Sequence, residues 1–167
     1  MNTLYGHNSE GGPLERDEAM PMGHFDHHTI LLVDDNDDDL ELTLRAMKRN
    51  GINRRIVTLR DGVEALDFLK RRGAYQDTRE PLPGLMLLDL KLPRVDGLEV
   101  LEQVKMDPHL KSLPVIMLTS SRHERDVQRA YSLGVNSYIC KPTDYSEFAK
   151  LVSTFDSYWF SMVILPS

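Results

Sequence analysis

Cysteine is nearly missing from this sequence, where Cys140 stands alone. One thiol cannot close an internal disulfide, which points to a reducing compartment. Missing too is any run of the about 18 consecutive apolar residues that a membrane span needs. The start of the chain lacks the basic-then-apolar pattern of an export signal. Positive charge is in deficit: 20 Lys and Arg against 26 Asp and Glu leave a formal net charge of -6. That sign disfavours non-specific affinity for DNA or RNA. No internal repeat and no low-complexity run interrupts the chain. The expectation from these absences is a soluble cytoplasmic protein with neither a membrane nor a nucleic-acid partner.

What is present suffices for one domain: 167 residues, 41% of them apolar and 28% charged. Residues 1–28 differ from the rest. Gly6, Gly11, Gly12, Pro13, Pro21 and Gly23 recur there among scattered charges without an apolar period. This composition predicts a flexible tail, in which His24, His27 and His28 are solvated residues rather than a metal site.

Regular patterning starts at Thr29. The run Thr29-Ile30-Leu31-Leu32-Val33 predicts a buried strand ending on Asp34-Asp35. Leu40, Leu44 and Met47 then mark one stripe of a helix that closes at Asn50-Gly51. Arg55 to Leu59 alternates poorly and predicts a strand nearer an edge. A second helix starts at Asp61-Gly62, carries Val63, Leu66 and Leu69, and ends in Lys70-Arg71-Arg72, where positive charge suits the carbonyl end. Ala74 to Pro83 reads as a polar loop. The apolar run from Gly84 to Leu88 has the length and flanks of a strand buried on both faces, and it stops on Asp89. Pro93 cannot extend that strand, and Asp96-Gly97 forms a turn pair leading into the next helix. Leu98, Leu101 and Val104 line that helix. Leu113 to Leu118 predicts a fourth strand, ending on Thr119. Val127, Ala130 and Tyr131 face inward from a fourth helix, and Val135 to Cys140 is a fifth, buried strand ending on Lys141-Pro142. Cys140 is expected as a small core hydrophobe, not a nucleophile. Thr143 or Asp144 caps a last helix, where Phe148, Leu151, Val152, Phe155 and Trp159 fall at helical spacing.

Such alternation predicts an α/β protein: a flavodoxin-like (βα)5 doubly wound parallel sheet of strand order 2-1-3-4-5. In a parallel sheet the strand ends share one edge, so Asp34, Asp35, Asp89, Thr119 and Lys141 converge. Close carboxylates repel, and a divalent cation with a preference for hard oxygens, Mg2+, relieves that repulsion. Metal, lysine and hydroxyl together suit phosphoryl groups. Asp34 and Asp35 are the better placed pair to hold metal and its waters. Asp89, at the centre of the edge, is the natural nucleophile and would form an aspartyl-phosphate. Asp37, Asp38 and Asp39 prolong the acidic run, but at a helix start they favour the dipole and need no metal. The run is not a calcium loop, because glycine is absent at its sixth place and Arg45 stands where a bidentate Glu belongs.

The strings Leu-Leu-Val-Asp-Asp, Leu-Leu-Asp-Leu-Lys-Leu-Pro followed by Asp-Gly, Leu-Thr-Ser-Ser and Tyr-Ile-Cys-Lys-Pro lie in order between Thr29 and Asp156. In these the chain resembles the receiver domain of two-component response regulators. The resemblance implies that Asp89 accepts a phosphoryl group from the phosphohistidine of a sensor histidine kinase. It implies that Asp35, Asp89 and the backbone carbonyl of Lys91 bind Mg2+, with Asp34 acting through water. Lys141 would contact phosphoryl oxygens, Thr119 would close on them, and Tyr138 would turn inward with Thr119, altering the face of helix four, strand five and helix five. Lys141-Pro142 is where this family usually holds a cis peptide. Lys91 and Ser121 would flank the site and tune water access. Such a protein is a phosphoacceptor that assists its own phosphotransfer and dephosphorylation, not an enzyme acting on external substrate.

On this reading residues 29–156 are the receiver domain, with no output domain after it, and residues 157–167 are an apolar extension. Trp159, Phe160, Met162, Val163, Ile164 and Leu165 are too apolar to lie free in water and suggest a homodimer arm. The extension, and the long polar loop before strand three, resemble the small regulators paired with bacterial phytochromes. Three other classes compete. A phosphate-independent interaction module of the same architecture would lose Asp89, Lys141 or the acidic pair. A Mg-dependent phosphohydrolase of similar topology would carry Asp at position 91, where this chain has Lys91. Flavin binding would need a phosphate-cradling loop after strand one.

Overall fold

Apolar strands of four to nine residues and helices with one apolar stripe can bury their faces only against each other, and that requirement sets the architecture. The computed structural model describes residues 25–155 and 157–159. In order these are β1 (Phe25–Val33), α1 (Asp37–Arg49), β2 (Arg55–Leu59), α2 (Gly62–Lys70), a 3-10 turn (Gly73–Tyr75), β3 (Leu82–Leu88), α3 (Gly97–Met106), β4 (Val115–Thr119), α4 (Glu124–Ser132), β5 (Ser137–Cys140) and α5 (Tyr145–Phe155). The strands form one parallel sheet in the order β2-β1-β3-β4-β5, as expected.

Side chains alternate across each strand, so the sheet has two apolar faces. Leu31, Val33, Met86, Leu88, Val115 and Met117 pack under α2, α3 and α4. Ile30, Leu32, Leu85, Leu87, Ile116 and Leu118 pack under α1 and α5. β3 is buried at every residue because it lies between two strands and two helical layers. Each such Leu or Met contributes about 1.5–3 kcal/mol through removal from water. The same double burial explains the near-continuous apolar sequence of β3.

Several expectations are corrected. β1 begins at Phe25, four residues before Thr29, because Phe25 and Asp26 pair with Leu82 and Pro83 ahead of a register shift. The Asp26 carboxylate accepts from the His28 amide at 2.9 Å and the Thr29 hydroxyl at 2.7 Å, a local arrangement that broke the apolar pattern. Pro83 therefore lies within β3 rather than in a loop. Leu44 is exposed, since Thr43 and Ala46 complete the buried stripe of α1 with Leu40 and Met47. Tyr131 is also exposed. Its hydroxyl reaches the edge strand and accepts from the Tyr138 amide at 3.2 Å. β5, on that edge, is half-buried throughout, Cys140 included. No peptide bond among the described residues is cis, so the Lys141–Pro142 bond is trans.

The expected tail through His24, and the apolar residues from Phe160 onward, lie outside the described residues. Leu151 and Trp159 pack against the α1/α5 layer, and the Tyr158 and Trp159 rings meet edge to face at 5.7 Å. Among the described residues no helix is long and apolar enough to cross a membrane.

Candidate functional site

Backbone hydrogen bonds of the sheet carry on past the ends of its strands, and they fix the rim. The Asp34 amide donates to the Leu59 carbonyl at 3.0 Å, the Asp89 amide to the Val33 carbonyl at 2.9 Å, and the Lys141 amide to the Thr119 carbonyl at 2.8 Å. Asp34, Asp89 and Lys141 thus each leave the sheet from a paired backbone position. The loop after Asp89 is held as tightly. The Gly97 amide donates to the Leu90 carbonyl at 2.7 Å, and a Cβ on Gly97 would lie 2.1 Å from the Asp89 carbonyl oxygen. Gly97 is therefore required for space rather than as half of a turn pair. It is the first residue of α3, whose cap is the Asp96 side chain. Glycine is required at Gly62 for the same reason, since a Cβ there would meet the Val95 carbonyl oxygen at 1.8 Å.

Asp34, Asp35 and Asp89 bring one carboxylate oxygen each to within 4.8 Å of one another. Asp34 and Asp89 are buried and Asp35 faces solvent. The Lys141 ammonium sits among them, 2.6 Å from Asp34 Oδ2 and 3.1 Å from Asp89 Oδ2. Its third partner is Asp39 Oδ2 at 2.8 Å. Sequence reasoning assigned Asp39 to the helix dipole and missed this contact. No signal in the sequence separates it from Asp37 and Asp38, since all three lie in the first turn of α1.

The electrostatics follow from crowding and burial. Burial pushes the Asp34 carboxyl up to about 6, and the nearby Asp89 charge adds to that rise against the pull of Lys141. Burial alone would lower the Lys141 ammonium, but Asp34, Asp39 and Asp89 outweigh it and hold the ammonium firmly charged. One lysine cannot neutralise four carboxylates. A set of hard oxygen donors around two buried acids fits a divalent cation.

Thr119 is fully buried, and its Oγ1 accepts from the Ser121 amide at 3.3 Å. The Tyr138 hydroxyl donates to the Ser121 carbonyl at 3.0 Å, with the ring against the α2/α3/α4 layer. Ser121 was expected beside the open site. It is buried instead, and its hydroxyl donates to Asp126 Oδ2 at 2.6 Å, turned toward α4. Lys91, two residues beyond Asp89, is exposed.

Comparison with known proteins places the fold in a family. The model of the response regulator receiver domain matches residues 30–153. The chain belongs to the response regulator receiver family. Response regulator Rcp1 of Synechocystis sp. is 41% identical to this receiver over 138 residues, 83% of this chain and 92% of Rcp1. The probable methanogenesis regulatory protein FilR2 of Methanothrix harundinacea is 43% identical over 134 residues, 80% of this chain and 84% of that one. Among solved structures, the Mn2+-bound form of Rcp1 matches with a TM-score of 0.77, covering 83% of this chain and 99% of that chain. The phosphorylated cyanobacterial phytochrome response regulator RcpA matches with a TM-score of 0.79 at 40% identity, covering 85% of this chain and 100% of that one. Receiver domains are phosphoacceptors in signal transduction rather than enzymes, and this receiver carries the family's fold over its whole matched length.

Proposed function

We propose that this receiver takes its phosphoryl group on Asp89 from a sensor histidine kinase, and that the kinase is a phytochrome. The observation that carries the first part is the convergence of Asp34, Asp35, Asp89 and Lys141 at one rim. Asp89 offers a carboxylate nucleophile whose neighbour, the Lys141 ammonium, compensates charge arriving on phosphoryl oxygens. Asp35, Asp89 and the Lys91 carbonyl would hold Mg2+, with Asp34 reaching it through water. When bound, the ion supplies charge neutralisation to the phosphoryl oxygens. The existence of a Mn2+-bound form of Rcp1 supports a divalent ion for this receiver. Lys141, Thr119 and Tyr138 then read the new group: Lys141 by charge, Thr119 by closing on it, Tyr138 by following Thr119. The same residues assist loss of the phosphoryl group to water.

The phytochrome partnership rests on the likeness to RcpA over all of that chain's length. The working place of such a regulator is the cytoplasm. The chain is organised as a receiver domain with an apolar extension at residues 157–167 that joins two copies into a homodimer. Loss of the dimer from a chain lacking residues 160–167, read as mass in solution, is the result expected for that arm.

The test of Asp89 is direct. Wild-type chain incubated with acetyl phosphate and Mg2+ gains one phosphoryl mass, and Asp89→Asn gains none. Undiminished labelling of Asp89→Asn would remove the proposal.

A further inference from the structure

The third partner of Lys141 has no place in the reading above. An ammonium has three N–H donors, and here all three are taken by carboxylates: Asp34 at 2.6 Å, Asp39 at 2.8 Å and Asp89 at 3.1 Å. Two of these acceptors are engaged by the chemistry. Asp89 gives up an oxygen to phosphorus, and Asp34 belongs with Asp35 and Asp89 to the group of oxygens close enough to share a cation. Asp39 belongs to neither set.

Asp39 is also built differently from its neighbours in the acidic run. Asp37 and Asp38 are exposed, and Asp37 pairs with Arg60 across the groove to β2. Asp39 is half-buried, with its side chain 35% exposed. Its backbone is fixed at both ends: the Asn36 side chain accepts from its amide at 3.1 Å, and the Thr43 hydroxyl donates to its carbonyl at 2.8 Å. Asn36 already caps α1. The Asp39 carboxylate is therefore not needed as a cap and is free to engage Lys141.

We propose that Asp39 is a positioning residue: it holds the Lys141 ammonium over Asp89 through a bond that phosphoryl acceptance does not consume. The ammonium must release Asp89 Oδ2 when a phosphoryl group arrives. A lysine side chain has four rotatable carbons and swings freely once its partners leave. Anchored by Asp39, it needs only a small displacement to meet a phosphoryl oxygen. Charge-assisted bonds of this kind are the stronger class of hydrogen bond, so the anchor is a firm one. This inference rests on Asp89 being the acceptor and adds a residue to that site.

The experiment compares Asp39→Asn and Asp39→Glu with wild type over a range of Mg2+ concentrations, at saturating acetyl phosphate. Asp39→Asn is expected to slow acceptance about fivefold to twentyfold, the effect of losing one positioning hydrogen bond. Asp39→Glu, which keeps the charge, is expected to restore most of the rate. The Lys141 ammonium protons, followed by NMR in the unphosphorylated chain, are expected to exchange faster with water in Asp39→Asn. An unchanged rate in Asp39→Asn overturns the inference. So does a slow rate cured by more Mg2+, which would make Asp39 part of the metal's field, or a slow rate with unaltered Lys141 exchange. Asp89→Asn runs alongside: labelling there would bring down the acceptor assignment, whereas labelling confined to Asp89 with no Asp39 effect would bring down only this inference.

Discussion

Lys141 Nζ lies 3.1 Å from Asp89 Oδ2, although 52 residues separate them in the chain. Two strand ends and one sheet hydrogen bond, from the Lys141 amide to the Thr119 carbonyl, create that approach. The ammonium is the only cation contacting Asp34, Asp39 and Asp89 among the described ion pairs. Its removal leaves buried negative charge without compensation. Lys141→Ala is expected to lower stability in chelator by about 3–5 kcal/mol at neutral pH, as breaking one side of a buried ion cluster does. Added Mg2+ should recover part of that loss. Urea unfolding with and without the ion reads both effects, and equal stability of variant and wild type would contradict the cluster.

Asp34 gives the site a pH dependence of definite sign. Its folded value of about 6 stands above the ordinary 3.8, chiefly through burial. The folded chain thus holds that proton more tightly than the unfolded chain. The contribution of Asp34 to stability is highest below 3.8, falls as pH rises from 3.8 to about 6, and is level above that. Asp34→Asn removes this penalty. In chelator the variant is expected to gain on wild type by on the order of 2 kcal/mol between pH 4 and pH 7.5. Divalent ions should bind wild type more weakly as pH falls through about 6, since the carboxylate must be deprotonated to help hold them. A stability difference between the two chains that does not vary with pH would contradict the raised value.

Gly97 is the tightest backbone position against Asp89. A methyl group placed there would stand 2.1 Å from the Asp89 carbonyl oxygen and 2.8 Å from Leu90 Cα. Backbone cannot yield as a flexible side chain can, so the loop after Asp89 must shift. Gly97→Ala is expected to cost about 2–4 kcal/mol in stability, the range of severe overpacking. Acceptance of phosphoryl should fall as well. An Ala variant of native stability with an unchanged labelling rate would show that the loop tolerates what this geometry forbids.

The strands and the rim acids were legible because their signals are local, and the strand order followed from their alternation with helices in a flavodoxin-like arrangement. Apolar runs that stop on Asp34-Asp35, Asp89, Thr119 and Lys141 need no distant partner to be seen. What stayed hidden depends on neighbours. Phe25 joins β1 only because Leu82 stands beside it, past two histidines that interrupt the pattern. Tyr131 fits the inward stripe of α4 by spacing, yet it covers an edge amide of β5. Asp39 has the composition of a helix-start acid, and only its three-dimensional closeness to Lys141 distinguishes it from Asp37 and Asp38. The burial of Ser121 reflects its bond to Asp126, which no motif encodes.

Thr119 and Tyr138 are joined through one residue, and that connection makes the switch testable. Thr119 Oγ1 accepts from the Ser121 amide at 3.3 Å, a long bond, while the Ser121 carbonyl accepts from the Tyr138 hydroxyl at 3.0 Å. On the proposed role of Thr119, a hydroxyl drawn toward phosphoryl oxygens would release the Ser121 amide. The carbonyl of the same residue would then change its hold on Tyr138. A phosphoryl group brings about -2 of charge, enough to favour one of two such arrangements. Thr119→Ala removes the hydroxyl without touching Asp89 or Lys141. Labelling by acetyl phosphate is expected to persist within about threefold, because Asp89, the proposed nucleophile, and Lys141 remain. The change in the Tyr138 ring signals on phosphorylation, followed by NMR, is expected to shrink to less than about half of that in wild type. Tyr138 signals that respond equally in both chains would show that the coupling bypasses Thr119.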